Sequence, residues 1–263
     1  FEKKECCRKD LNHMARNTYG LDLGSYEIKV YDKKQDTIWK EKNVLAVQDK
    51  KEIIAIGEDA YQMYEKTPPD IEVAFPMRDG VISRFNDMQN LLQNILKKNR
   101  HFSRGAEYVI AVPTDVTEVQ KKAFFDLVIH SNAKAREVNI VERSIADAVG
   151  LGIDVQNTTG VMIINFGGET TELSVLTEGG IVFNRLLKLG GTTLDQEIVN
   201  LVRNSHDFLI GSRTAEILRQ QFDVFNGDSE TAFSVAGRDL ITGLPMRKTI
   251  SITLVRAAFK DTL

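Results

Sequence analysis

Two stretches of this chain combine glycine with acidic and polar side chains at a spacing that suits phosphate chemistry. In residues 19–31, YGLDLGSYEIKVY, an apolar run ends near Asp22, a Gly24-Ser25 turn follows, and an alternating run returns. Residues 160–177, GVMIINFGGETTELSVLT, repeat the layout, with Asn165 where the first copy has Asp22. There the turn is Gly167-Gly168, followed by the polar run 169–172 and a second strand over 173–176. Glycine has no Cβ, so such a turn can bring backbone N–H groups close to an anion. Each stretch alone reads equally as an ordinary β-hairpin. Two copies in one chain point to an internal duplication. Facing each other across a cleft, they would grip a polyphosphate from both sides, and a hinge between halves is a common ligand site.

These residues must be carried by strands and helices. Residues 161–166 are apolar and rich in β-branched side chains, as in a strand buried on both faces. Strands are expected at 38–47, 53–57, 107–112, 137–141 and 181–189, and a short helix at 58–66 ends at Pro68-Pro69. Phe85, Met88, Leu91, Leu92, Ile95 and Leu96 follow helical spacing and read as core. Thr117 with Gln120 forms a capping box opening a helix to about residue 132. Strand–helix–strand alternation there implies parallel pairing with right-handed crossovers. Leu194, Ile198, Leu201 and Val202 stripe another helix, 214–221 is helical, and 233–254 form strands around the turn 242–245. A last helix starts at 254.

The order and number of these motifs resemble the MreB family of bacterial actin homologues, from about Met14 onward. GLDLGSYEIKVY resembles the family's first phosphate loop, INFGGETTELSV its second (DIGGGTTE), and VERSIADAVGLG (141–152) its connecting helix (EEPMAAAIGAG). LLKLGGTTLDQEIVNLVR, LIGSRTAEILR, AGRDLITGLP and KTISIT continue the match in order. The resemblance implies an α/β, actin-like (ribonuclease H-like, duplicated) two-lobed ATPase fold with an incomplete second lobe. The lobes would be 14–158, with a small subdomain inserted at about 33–78, and 159–263, with a small subdomain at about 196–254. Residues 1–13 would be a flexible extension ahead of a start at Met14.

The resemblance also implies the ligands ATP and Mg2+. Asp22, Gly24, Ser25, Tyr26, Asn165, Gly167, Gly168, Glu169, Thr170, Thr171, Gly190 and Gly191 would contact the nucleotide. Glu216 and Arg219 lie where the family contacts ribose and adenine, and read equally as surface charges. Asp22 would hold the metal through water, and Thr170 would orient the attacking water.

Three positions depart from the family pattern. Asn165 replaces an aspartate and brings no charge to a dication. Arg143 replaces the water-orienting glutamate; a guanidinium stays protonated and cannot serve as a base, though it can pair with a γ-phosphate. Glu169 replaces a glycine. Its carboxylate ~4 Å from a phosphate would cost on the order of 4 kcal/mol, or, with Mg2+ between them, restore the charge lost at Asn165.

Composition bounds the remaining classes. The chain has 263 residues with 42% hydrophobic and 27% charged content, room for one large or two modest domains. Its net charge of −3 gives no pull toward nucleic acid. The two cysteines, Cys6 and Cys7, are adjacent and do not staple a fold, and the four histidines are scattered. A reducing cytoplasm fits. The resemblance implies homopolymer filaments, a role in cell shape and cell-wall elongation, and ATPase activity, while the three departures at Arg143, Asn165 and Glu169 point to weak or absent hydrolysis. Phe102 among Lys97, Lys98, Arg100 and Arg104 is a candidate contact with the inner face of the membrane, and reads equally as a solvated helix end. The alternative function is an active small-molecule kinase or ATPase of the same superfamily.

Overall fold

A computed structural model describes residues 17–98, 105–221 and 231–260. The extension expected at 1–13 and the candidate membrane residue Phe102 lie outside the described residues. The described chain forms two compact units. The first runs to Gly167 and takes in Thr171–Leu187; the second holds Gly168–Thr170 and the residues from Lys188 onward.

The first unit is built on a five-stranded sheet. Strands β1 (Thr18–Leu23), β2 (Glu27–Asp32) and β3 (Thr37–Lys42) are antiparallel. A small sheet of β4 (Leu45–Gln48), β5 (Glu52–Ile56) and β6 (Ile71–Ala74) follows, with helix α1 (Glu58–Met63). The hairpin β7 (Met77–Arg78) and β8 (Val81–Ile82) turns at Asp79-Gly80, both at positive φ as a tight hairpin turn requires. Helix α2 (Phe85–Lys98) leads to β9 (Glu107–Val112), helix α3 (Glu118–Ile129) and β10 (Glu137–Glu142). β9 pairs in parallel with β1 and β10, giving the order β10-β9-β1-β2-β3.

Alternation places the site residue on β1. Tyr19, Leu21 and Leu23 point into the core with Ile28, Val30, Tyr108, Ile110 and the buried stripe of α2, so Asp22 points to the other face. Burying each of these large side chains contributes roughly 1.5–3 kcal/mol. The capping box Thr117–Gln120 forms at the start of α3. Helix α4 (Arg143–Gly150) continues directly from β10, so residue 143 stands at the end of an edge strand of the five-stranded sheet.

The second hairpin consists of β11 (Val161–Phe166) and β12 (Thr171–Thr177), extended by β13 (Gly180–Leu187) into an antiparallel three-stranded sheet. This repeats the β1–β2–β3 order. β11 is not buried on both faces. It is an edge strand, and Ile163 packs with Ala148 and Leu176 while Met162, Ile164 and Phe166 are about half exposed (58, 58 and 48%). An apolar run reports hydrophobicity but not whether a second layer covers it. β12 also starts two residues earlier than periodicity suggested, which puts Glu172 inside the strand, 3% exposed.

The second unit contains α5 (Gly191–His206), β14 (Phe208–Leu209), α6 (Ser212–Gln221), β15 (Ala232–Asp239), β16 (Pro245–Ser251) and α7 (Ile252–Lys260). Leu194, Ile198 and Val202 of α5 pack with Phe208, Leu218, Ile250, Val255 and Phe259. Asp239 organises the β15–β16 turn. It accepts from the Thr242 amide at 2.8 Å, the Thr242 hydroxyl at 2.9 Å and Lys248 Nζ at 2.8 Å. The Lys248 bond and those from Thr242 hold its carboxyl well below the usual carboxylate range. A depressed folded-state value contributes stability above the unfolded value of about 3.9, lost as pH falls below it. Acidification from pH 5 to pH 3 is therefore expected to lower the melting temperature of the chain more than that of Asp239→Asn, read by circular dichroism.

Candidate functional site

The first hairpin turn is closed by backbone and by one distant side chain. Gly24 N–H donates to Glu27 O at 3.1 Å, and a Cβ on Gly24 would lie 2.8 Å from that oxygen, so only glycine fits. Asn43, 1% exposed, donates its side-chain amide to Gly24 O at 2.7 Å and its backbone amide to Tyr26 O at 3.0 Å. The sequence reads as one strand over 38–47 and so gives Asn43 no separate role, whereas it sits between β3 and β4. Ser25 Oγ accepts from Gly80 N–H at 3.1 Å. The Tyr26 hydroxyl accepts from Lys42, whose ammonium also lies 4.7 Å from the Tyr61 ring centroid.

Asp22, Lys29, Arg143, Asp147 and Asn165 make an ionic cluster in the same unit. Asp22 Oδ2 accepts from Lys29 Nζ at 3.0 Å and its Oδ1 from Arg143 Nη2 at 3.4 Å. The Arg143 side chain is only 11% exposed, and its Nε is buried without a partner. Asn165 Nδ2 donates to Asp147 Oδ2 at 2.6 Å. Burial pushes the Asp147 carboxyl above its usual range, and Asp22 and Glu172 push the same way; Asn165 and Arg143 oppose. Glu172, which the sequence reading left in a polar turn, accepts from Thr114 N–H at 2.9 Å and Asn184 Nδ2 at 2.8 Å. It ties the loop after β9 to the second hairpin. The Thr114 and Ser144 hydroxyls lie 3.0 Å apart, which links that loop to α4. Gly167 closes β11, and Thr171, 5% exposed, opens β12.

The second unit brings together the rest. Gly168 O accepts from the Thr192 amide at 2.8 Å and the Thr192 hydroxyl at 2.9 Å. A Cβ on Gly190 would lie 2.6 Å from Gly168 O and 2.7 Å from the backbone of Glu169. Thr170 is 7% exposed. Helix α5 starts at Gly191 beside this loop; the amides of Thr192, Thr193 and Leu194 already donate to the Gly168 and Gly190 carbonyls, and the positive end of the helix dipole favours an anion there. Arg219 forks onto Asp195 at 2.6 and 3.1 Å, and its Nη2 would lie 3.1 Å from a Cβ on Gly191. Burial raises the Asp195 carboxyl, with Glu216 adding to the rise and Arg219 opposing it. Glu216 is 5% exposed and accepts from Gln220 at 2.9 Å, so neither it nor Arg219 is a plain surface charge.

The chemistry of these donors separates nucleotide from metal. Within the first unit, a glycine turn too tight for a Cβ and a buried guanidinium with an unpartnered donor suit phosphate; within the second, Gly190 packed against the 168–170 loop at a helix N-terminus does so by itself. A bare cation suits them less. Asp22 already faces two protein cations, and no group of three His, Cys, Asp or Glu side chains able to hold an ion occurs among the described residues. The set fits Mg2+ that keeps its waters and meets the protein through them. No carboxylate stands at position 143 to orient a water.

A profile described as MreB/Mbl protein matches residues 16–263. Cell shape-determining protein MreB of Escherichia coli K12 is 33% identical over 264 residues, covering 97% of this chain and 76% of that protein. Cell shape-determining protein Mbl of Bacillus subtilis 168 is 30% identical, covering 95% of this chain and 76% of that protein. The crystal structure of MreB5 of Spiroplasma citri bound to AMPPNP superposes with a TM-score of 0.86 at 30% identity, covering 94% of this chain and 75% of that one. A MamK double helical filament superposes at 0.73 with 20% identity, covering 94% and 76%, a likeness of fold alone.

Proposed function

We propose a function from one premise: the chain belongs to the MreB/Mbl family and has its actin-like fold. It is a nucleotide-binding, actin-like cytoskeletal protein of the cell-shape-determining kind. ATP is the ligand of the glycine turns and of the α5 N-terminus, with Mg2+ beside it retaining its waters. The family resemblance assigns nucleotide contacts to Asp22, Gly24, Ser25, Tyr26, Asn165, Gly167 and Thr171 within the first unit and, separately, to Gly168, Glu169, Thr170, Gly190, Gly191, Glu216 and Arg219 within the second. Nucleotide acts as a conformational ligand that favours assembly with further copies of the chain. The filaments serve cell shape by guiding cell-wall synthesis in the cytoplasm, at the inner face of the membrane. The AMPPNP- and ADP-bound MreB5 structures and the names of the relatives support this reading.

Hydrolysis is weak. The observation that carries this is the Arg143–Asp22 contact at 3.4 Å: the helix position nearest Asp22 holds a cation where water activation needs an acceptor. The same contact weighs against an active small-molecule kinase or ATPase. Pelleting and electron microscopy with ATP and with AMPPNP, alongside phosphate release, test both statements. Polymer with either nucleotide and little phosphate release is expected. Rapid release abolished by Asp22→Ala would favour the enzyme instead.

A further inference from the structure

The two hairpins of this chain differ at one chemically decisive place. Asp22 is the penultimate residue of β1 and pairs with Lys29; Asn165 is the penultimate residue of β11 and pairs with Glu172. The repeat thus carries a carboxylate in its first copy and an amide in its second. The missing carboxylate reappears one element away. Asp147 of α4 accepts from Asn165 Nδ2 at 2.6 Å, and it stands where the resembling helix motif has alanine. Asp147 is also four residues beyond Arg143, on the same face of α4.

We propose that Asp147 is a positioning residue of the nucleotide site, the relocated carboxylate of the second hairpin, acting through Asn165 on the hydrated cation that accompanies the triphosphate. This rests on the nucleotide-binding reading above. An ionised carboxylate only accepts, so Asp147 holds the NH2 side of the Asn165 amide and leaves its carbonyl oxygen to accept from a metal-bound water. The negative charge stands one hydrogen bond behind that oxygen and strengthens it as an acceptor, as outer-shell carboxylates do behind metal ligands. Asp22 cannot supply this charge alone, because Lys29 and Arg143 both face it.

Titration of a fluorescent ATP analogue into the whole chain, with Mg2+ and with EDTA, tests the assignment. The quantity read is the ratio of the two affinities. In Asp147→Ala this ratio is expected to fall about tenfold, the scale of outer-shell substitutions. The double variant Asp147→Ala/Asn165→Asp, which moves the carboxylate back to the strand, is expected to recover it. Asp147→Asn keeps the size of the side chain, guards against a folding defect in the alanine variant and is expected to show the same fall. An unchanged ratio in both single variants, or no recovery in the double variant, overturns the inference. No binding by the unaltered chain in either condition overturns the nucleotide reading, and the inference with it.

Discussion

Arg143→Glu is expected to raise phosphate release from bound ATP by about 100-fold, at the lower end of what a positioned acceptor contributes. The unaltered chain offers the attacking water no acceptor at this place, since a guanidinium remains protonated throughout the accessible pH range. Residue 143 is the first residue of α4, at the end of the edge strand β10 and within reach of Asp22. A glutamate there would accept from water, and the N-terminal end of the helix would favour its charge. Asp22 would lose one of its two cationic partners and keep Lys29. Arg143→Gln separates the two effects, because it removes the cation without supplying a carboxylate. Single-turnover phosphate release of the three proteins is the measurement. Equal rates for the glutamate and glutamine variants would show that hydrolysis is limited elsewhere, with Asn165 the foremost candidate.

Gly190→Ala is expected to destabilise the second unit by about 1–3 kcal/mol and to weaken nucleotide binding in step, at about tenfold per 1.4 kcal/mol. The backbone of Gly190 is extended (φ −160°), a conformation open to any residue, so the cost is one of space alone. An added Cβ would lie 2.6 Å from the Gly168 carbonyl oxygen and 2.7 Å from two backbone atoms of Glu169, well inside contact distance. Backbone cannot turn aside as a side-chain tip can, so the 168–170 loop would have to move away from the start of α5. That movement would break the two bonds that Thr192 makes to Gly168 O. Gly150→Ala is the control. Its added Cβ meets nothing within 4 Å, and its expected effect on melting is neutral or mildly stabilising. Equal melting temperatures and affinities for the two variants would contradict the account of Gly190.

Much of the fold is legible in the residues alone because its signals are local. The α2 stripe, the Thr117–Gln120 box and both hairpins depend on partners a few positions apart, where helical and strand periodicities act. Motif order then leads to the family, to Asp22 as a retained position, and to Arg143, Asn165 and Glu169 as the positions that depart from its pattern. The exposure of Met162, Ile164 and Phe166 was not legible, since an apolar strand carries no record of whether a second layer lies over it.

What escaped the reading of residues was the partner of each polar group. Asn43 reaches Gly24 across 19 positions, Asp147 reaches Asn165 across 18, Glu172 reaches Thr114 across 58, and Arg143 reaches Asp22 across 121. A side chain declares its charge and its hydrogen-bonding capacity wherever it sits in the chain. Which buried donor it must satisfy depends on which strands and helices end side by side, and that is settled by packing over long separations. The residue types point to glycine turns suited to an anion and to a cation where the family has a water-orienting glutamate. Folding chose the pairings that hold its turns in place and set a carboxylate behind Asn165.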